Sequence, residues 1–421
     1  MIYNRTEIAG NIGFSSVIDE KFKTGTLTVR FITGLSGTRA AANALGIGVL
    51  SSSSAEYRSI AEINEKLSSL YGAGLSTFAR KRGDIQILGI GASWLNRKYA
   101  IDGEDIDSEM LNIFRGCIFE PNASDGEFDE ESYTITKRDL LDHIDAELNN
   151  KRGYALSRAA ELAFRGEPAE YSCYGSRESA EAVTSADAYN AYVELLKTAQ
   201  VEICYIAPEE DPHVIEMFRE GFAGIGRASS AVRFRNVSPA KAEPAEDSDT
   251  FDVRQCKMVL TFKSESDDMC ALKLLSSIFG ETPVSKLFMN VREKLSLCYY
   301  CACRTVFAKG ALMVDSGVER ENIEKAKAEI LHQLDEIRNG NITDEEIESA
   351  LLSLDNAHTQ VGDTPSSYDS WYFERFCNGK ILAPEELMKE YRLVTKERIV
   401  EAANSLTLDS VYLMLDKEDK A

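Results

Sequence analysis

Thr26-Leu27-Thr28-Val29-Arg30-Phe31 alternates apolar and polar residues, and Lys257-Met258-Val259-Leu260-Thr261-Phe262 repeats the alternation in the second half of the chain. A period of two with Leu27, Val29 and Phe31 on one side is that of a half-buried strand. An Ala-rich helical stretch from about Gly37 to Leu50 follows the first strand. Asp267 to Gly280 follows the second, with Met269, Leu272, Leu275 and Phe279 on one helical face. Farther along, Phe128-Asp129-Glu130-Glu131 and Ile342-Thr343-Asp344-Glu345-Glu346 each open a helix, with Thr343 and Glu346 spaced as a capping box. The halves also close alike. Val183-Thr184 starts a helix leading into the strand Val201 to Ile206, and Val394-Thr395 starts one leading into Val411 to Leu415. Such offsets, all roughly 200 residues or somewhat more, mean duplication of a whole domain rather than a solenoid repeat.

Between the halves, Arg227 to Asp249 is rich in Ala, Ser, Pro and charge and lacks a sustained apolar period, so it reads as a linker. The expected division is a first domain over 1–226, a linker over 227–249 and a second domain over 250–421. Meandering strands separated by long helices make each domain α+β, an antiparallel-rich sheet with helices on one face. A chain of 421 residues accommodates two such domains.

A formal charge of -22 repels phosphate backbones and anionic lipid, so nucleic acid and membrane surfaces are excluded as expected partners. No 18 consecutive residues are apolar, and Met1 to Gly10 shows no basic segment followed by an apolar run, which points to a cytoplasmic protein. Nine scattered cysteines suit reduced core thiols better than a disulfide framework.

Chemistry-bearing patterns are sparse. The four histidines are His143, His213, His332 and His358; neither H-E-x-x-H nor H-x-x-E-H occurs, so the usual helical zinc sites are missing. His143 with Glu147, and His332 with Glu336, read as solvated helical pairs, because two ligands fall short of a zinc site. In Cys298-x-x-Cys301-x-Cys303, strand alternation places Cys298 opposite the other two and argues against a shared metal. The glycine pairs Gly46/Gly48, Gly89/Gly91 and Gly224/Gly226 lack the rest of a phosphate loop and read as turns or close backbone contacts. Arg80-Lys81-Arg82 before Gly83-Asp84 reads as a solvated hairpin turn.

The most informative segment runs from Ser285 through Val291-Arg292-Glu293-Lys294 to Leu297-Cys298-Tyr299-Tyr300. It resembles the second-domain signature of the pitrilysin/insulinase superfamily, which includes the mitochondrial processing peptidase. The resemblance covers essentially the whole chain and implies two tandem homologous domains closing as a clamshell. It also implies that Arg292 and Tyr299 contact the backbone of a peptide substrate. Active members carry H-x-x-E-H shortly after the first strand. Alignment on Val49-Leu50 and Ser52-Ser53 puts Asn43, Gly46 and Ile47 at those positions, and the family's later Glu ligand falls near His143. Gly46 and Ile47 have no lone pair to offer a cation, an amide at Asn43 is a poor ligand, and no carboxylate is left to activate water.

The resemblance therefore implies a catalytically inactive, YmfF-like member, of the type associated with elongation factor P 5-aminopentanol modification, that needs no cofactor or metal. Its expected role is peptide binding as the non-catalytic partner of an active H-x-x-E-H-bearing sister subunit. Two other readings stand beside it: a purely structural assembly subunit, and a residual hydrolase rebuilt around Asp142, His143 and Glu147.

Overall fold

The computed structural model describes residues 1–228 and 231–417. Thirteen strands are present among them: β1 Ile2–Ala9, β2 Ile12–Ile18, β3 Thr24–Gly34, β4 Gly74–Arg82, β5 Ile85–Leu95, the short β6 Ala123–Ser124 and β7 Glu127–Phe128, β8 Gln200–Ala207, β9 Ala245–Phe251, β10 Cys256–Lys263, β11 Cys298–Val306, β12 Ala311–Val318 and β13 Thr407–Asp416. The first large sheet has the order β1-β2-β8-β3-β5-β4 and the second β11-β12-β10-β13-β9. Written from the other end, the second is β9-β13-β10-β12-β11, which is the first sheet without β1.

Strand polarity repeats as well. The β2–β8 and β9–β13 pairs are parallel, and every other neighbour in the two sheets is antiparallel. Thr26–Phe31 lies in β3 and Lys257–Phe262 in β10, matching interior strands of the two sheets, as the α+β duplication requires.

In the first unit, Leu27, Val29 and Phe31 are buried in one core with Leu45, Val49, Phe114 and Tyr192. These come from the helices Ala40–Gly48, Ile106–Phe119 and Ser185–Thr198 and the short turn after the first. The caps read from sequence are made: Thr343 with Glu346, and Thr184 with Asp187, form reciprocal capping boxes, and Thr395 accepts from the Arg398 amide.

A single cut does not divide the chain. One compact unit comprises 1–146, 171–233 and 362–374; the other comprises 147–170, 234–361 and 375–421. Each half of the sequence thus lends one helical segment to the unit built on the other half's sheet. The expected helices lie on one face of each sheet, and the lent helix covers the opposite face. In the second unit, Ala155, Ala159 and Leu162 of the helix Lys151–Ala163 pack on Val259, Met313, Tyr412 and Met414. Beyond that helix, Glu167 meets the fully buried Lys309 at 2.6 Å.

In the first unit, Arg30 on the second face of β3 makes two parallel hydrogen bonds, 2.8 and 2.6 Å, to Asp369 of the lent segment. Phe373 lies 4.4 Å from the guanidinium, and Tyr372 stacks on Tyr3 at 3.9 Å. The stretch 227–249, expected as a linker, ends in β9, whose alternating half-buried and exposed residues form the edge of the second sheet. Arg80-Lys81-Arg82 does end a hairpin, turned at Gly83 with φ 57°. Arg82 is not solvated as expected, since its side chain is only 12% exposed and pairs with Glu374.

Candidate functional site

Between Leu35 and Ala55 there is no His, Cys, Asp or Glu, so no alignment register gives the helix Ala40–Gly48 a zinc ligand. Asn43 is 4% exposed and donates from Nδ2 to Gln86 Oε1 at 2.9 Å. Gln86 in turn donates to the carbonyls of Ala40 at 2.9 Å and Cys173 at 2.6 Å. The buried amide is therefore spent on a structural network. Ile47 is 1% exposed and belongs to the hydrophobic core. At Gly46 a Cβ would stand 2.5 Å from the Ala188 carbonyl oxygen, so the neighbouring helix Ser185–Thr198 fills the space a side chain would need.

Two residues on, a Cβ at Gly48 would meet the Thr136 methyl at 2.8 Å. Hydroxyls fill what remains between this helix end and Glu130–Ala146: Ser52 with Thr136 at 3.4 Å, and Ser53 with Ser132 at 2.7 Å. An open cleft of about 700 Å³ does lie beside Asn43, bordered by Arg39, Asp187, Asn190 and Glu194. His143 is exposed on the helix Glu130–Ala146, with its ring 4.7 Å from Tyr174. Glu147 accepts from the Ser157 hydroxyl at 3.0 Å. Asp142, His143 and Glu147 are not brought together, and among the described residues no three His, Cys, Asp or Glu gather as a ligand set.

Arg292 and Tyr299 sit in different surroundings. Leu287–Lys294 is a wide-wound helical segment, closed by bonds such as Leu295 N–H to the Asn290 carbonyl. Ser296, at φ 51°, then turns the chain into β11, the edge strand of the second sheet. Arg292 lies over the Phe288 ring at 4.5 Å and makes a loose 3.6 Å contact with the adjacent Glu293. Tyr299 is 63% exposed, and its hydroxyl, hydrogen-bonded to Glu319, holds its proton more tightly than an ordinary phenol. Val284, Met289 and Leu295 are exposed along the same segment. Arg292 and Tyr299 thus reach the surface uncommitted to the core, while Asn43, Gly46 and Ile47 are consumed by packing.

The model of the peptidase M16 inactive domain matches residues 182–354. Over 413 residues, 97% of each chain, the sequence is 25% identical to the probable inactive metalloprotease YmfF of Bacillus subtilis. The chain is YmfF-like, and over residues 182–354 it is similar to the peptidase M16 inactive domain. An uncharacterized zinc protease of Rickettsia bellii is 26% identical over 179 residues, 41% of this chain and 43% of that one. Among solved structures, a conserved protein from Enterococcus faecalis V583 superposes with a TM-score of 0.90 over 100% of both chains at 23% identity. A peptidase M16 inactive domain from Pseudomonas fluorescens superposes with 0.80 over 99% of both at 16%. The solved structures carry the fold, and the YmfF relative, named a probable inactive metalloprotease, is matched across the stretch from Leu35 to Ala55 that holds no His, Cys, Asp or Glu.

In this YmfF-like protein an H-x-x-E-H motif cannot be installed on the helix Ala40–Gly48 by side chains alone. The triple change Asn43→His, Gly46→Glu, Ile47→His should bind no stoichiometric zinc by elemental analysis. It should also destabilise the protein by about 3 kcal/mol or more, since it forces a side chain against the Ala188 carbonyl and puts an imidazole into an apolar core. A stable, zinc-loaded triple variant would contradict the packing account.

The cysteine segment also corrects a simple expectation. A β-bulge falls between Cys298 and Tyr300, where Cys298 pairs with Val318 and Tyr300 with Gly317. The extra residue undoes the alternation. Cys298 is therefore not on the face opposite Cys301, and both thiols are buried.

Proposed function

We propose that this YmfF-like protein is a non-catalytic, peptide-binding subunit working beside an active H-x-x-E-H-bearing sister, in the cytoplasm. The observation that carries the reading is the contrast between the two halves of the site. The residues where zinc and base would stand are locked into packing, whereas Arg292 and Tyr299 remain at the surface. A guanidinium and a phenol hydroxyl hold peptide carbonyls without a metal, so this half of the chemistry outlives the other. The apolar side chains of Val284, Met289 and Leu295 alongside suit an extended peptide better than a highly charged ligand.

The test is a pull-down from the native host, followed by turnover of a fluorogenic peptide by the recovered complex. Arg292→Ala with Tyr299→Phe should leave the complex intact and lower kcat/KM about tenfold to a hundredfold, the loss of one or two charge-assisted hydrogen bonds. Unchanged turnover in an intact complex would instead favour a purely structural subunit.

A further inference from the structure

The cleft of about 700 Å³ beside Asn43 contains a buried acceptor that the protein leaves unused. Gln86 decides which atom that is. Its Nε2 donates to the Ala40 and Cys173 carbonyls, so Oε1 is the atom turned to Asn43, and Asn43 must answer with Nδ2. Asn43 Oδ1 then has no hydrogen-bond partner among the described residues, on a side chain that borders the cleft and is only 4% exposed. A carbonyl oxygen in such a recess is short of a donor. The facing wall is the helix Ser185–Thr198, with Asp187, Asn190 and Glu194 along one side of it. Asp187 spends one oxygen on its capping box. The Thr184 hydroxyl and amide both donate to Oδ2, at 2.6 and 3.0 Å, and leave Oδ1 open. The same two bonds hold the carboxyl below its ordinary range and keep it ionised near neutrality. Glu194 leans on Arg39 at 4.0 Å, so Asp187 is the carboxylate of the cleft that still lacks a cation.

We infer that this cleft binds a primary ammonium group, borne by a small free amine or by the amino terminus of a peptide. The open acceptors come from two helices, Asn43 Oδ1 from Ala40–Gly48 and Asp187 Oδ1 from Ser185–Thr198, and so belong to no single planar group. The three donors of an ammonium splay and rotate to meet such a pair, whereas the flat fork of a guanidinium asks for two parallel acceptors. The positive charge answers Asp187, and one N–H serves the oxygen of Asn43. No bond is made or broken. All of these residues belong to the first unit, and the inference does not rest on Arg292 or Tyr299.

The experiment is calorimetric titration of the full chain at about pH 6, where amino termini are protonated. The probes are n-butylamine, tetra-alanine and N-acetyl-tetra-alanine. Butylamine or tetra-alanine should bind, and the acetylated peptide should not. Tighter binding of tetra-alanine assigns the site to a peptide amino terminus, and equal or tighter binding of butylamine assigns it to a free amine. Asp187→Asn keeps a capping oxygen but removes the charge, and should weaken binding about tenfold. Ala182→Trp, at an exposed position on the rim, should fill the cleft and abolish binding. A thermal melt matching the parent shows that each variant is folded. Failure of both free amines to bind at about 10 mM, equal binding of the acetylated peptide, or an affinity indifferent to Asp187→Asn overturns the inference.

Discussion

Divided between Arg233 and Phe234 and produced as two separate polypeptides, the chain should yield no folded half. A fragment of residues 1–233 keeps its sheet but lacks 362–374, leaving Arg30 and the second face of β3 uncovered. A fragment of residues 234–421 lacks 147–170, so Val259, Met313, Tyr412 and Met414 lose Ala155, Ala159 and Leu162, and the wholly buried Lys309 loses Glu167. Losing the burial of the three missing apolar side chains costs about 1.5–3 kcal/mol for the leucine and less for each alanine. Taking the Glu167 carboxylate away from a buried ammonium adds about 3–5 kcal/mol. Together these equal much of the stability of an ordinary domain, about 5–15 kcal/mol. Circular dichroism should show each fragment lacking a cooperative melt, and co-expression should restore one. A cooperative transition in either fragment alone would refute the exchange as a stability determinant.

Asp369→Ala should be the most damaging single substitution on the second face of β3. Arg30 and Asp369 are 6% and 8% exposed and joined by two short hydrogen bonds, so removing the carboxylate leaves a guanidinium that has lost its counter-charge out of water. Such losses cost about 3–5 kcal/mol. In urea the midpoint should fall while the slope is kept, because the surface exposed on unfolding barely changes. The double change Arg30→Met, Asp369→Leu should recover most of the loss, since apolar replacements of a buried pair are often neutral. An unchanged midpoint in the single variant would show that water reaches the pair.

The duplication was legible because β3 and β10 carry their burial in a local period of two, and because Thr184, Thr343 and Thr395 announce helix starts within one turn. The loss of the zinc site was equally legible, since it depends on which side chains are present. The lent helices were not legible. Arg30 and Asp369 stand 339 residues apart, and neither neighbourhood hints at the other. β9 was hidden for a different reason: Ala245-Glu246-Asp247-Ser248-Asp249 is polar enough to read as loop, yet at a sheet edge its inward acids are neutralised. Asp249 meets Arg158 at 3.2 Å and accepts from Tyr412 at 2.9 Å. Cys298 was misplaced because alternation assumes an unbroken ladder, and a one-residue bulge leaves no compositional mark.

The close approach at Gly46 bears on how this lineage can change. With only 2.5 Å between the site of a Cβ and the Ala188 oxygen, any larger residue at Gly46 would collide with backbone before it could offer a ligand. A single substitution there must first displace the helix Ser185–Thr198, so this position is closed to stepwise change while the exposed surface is not.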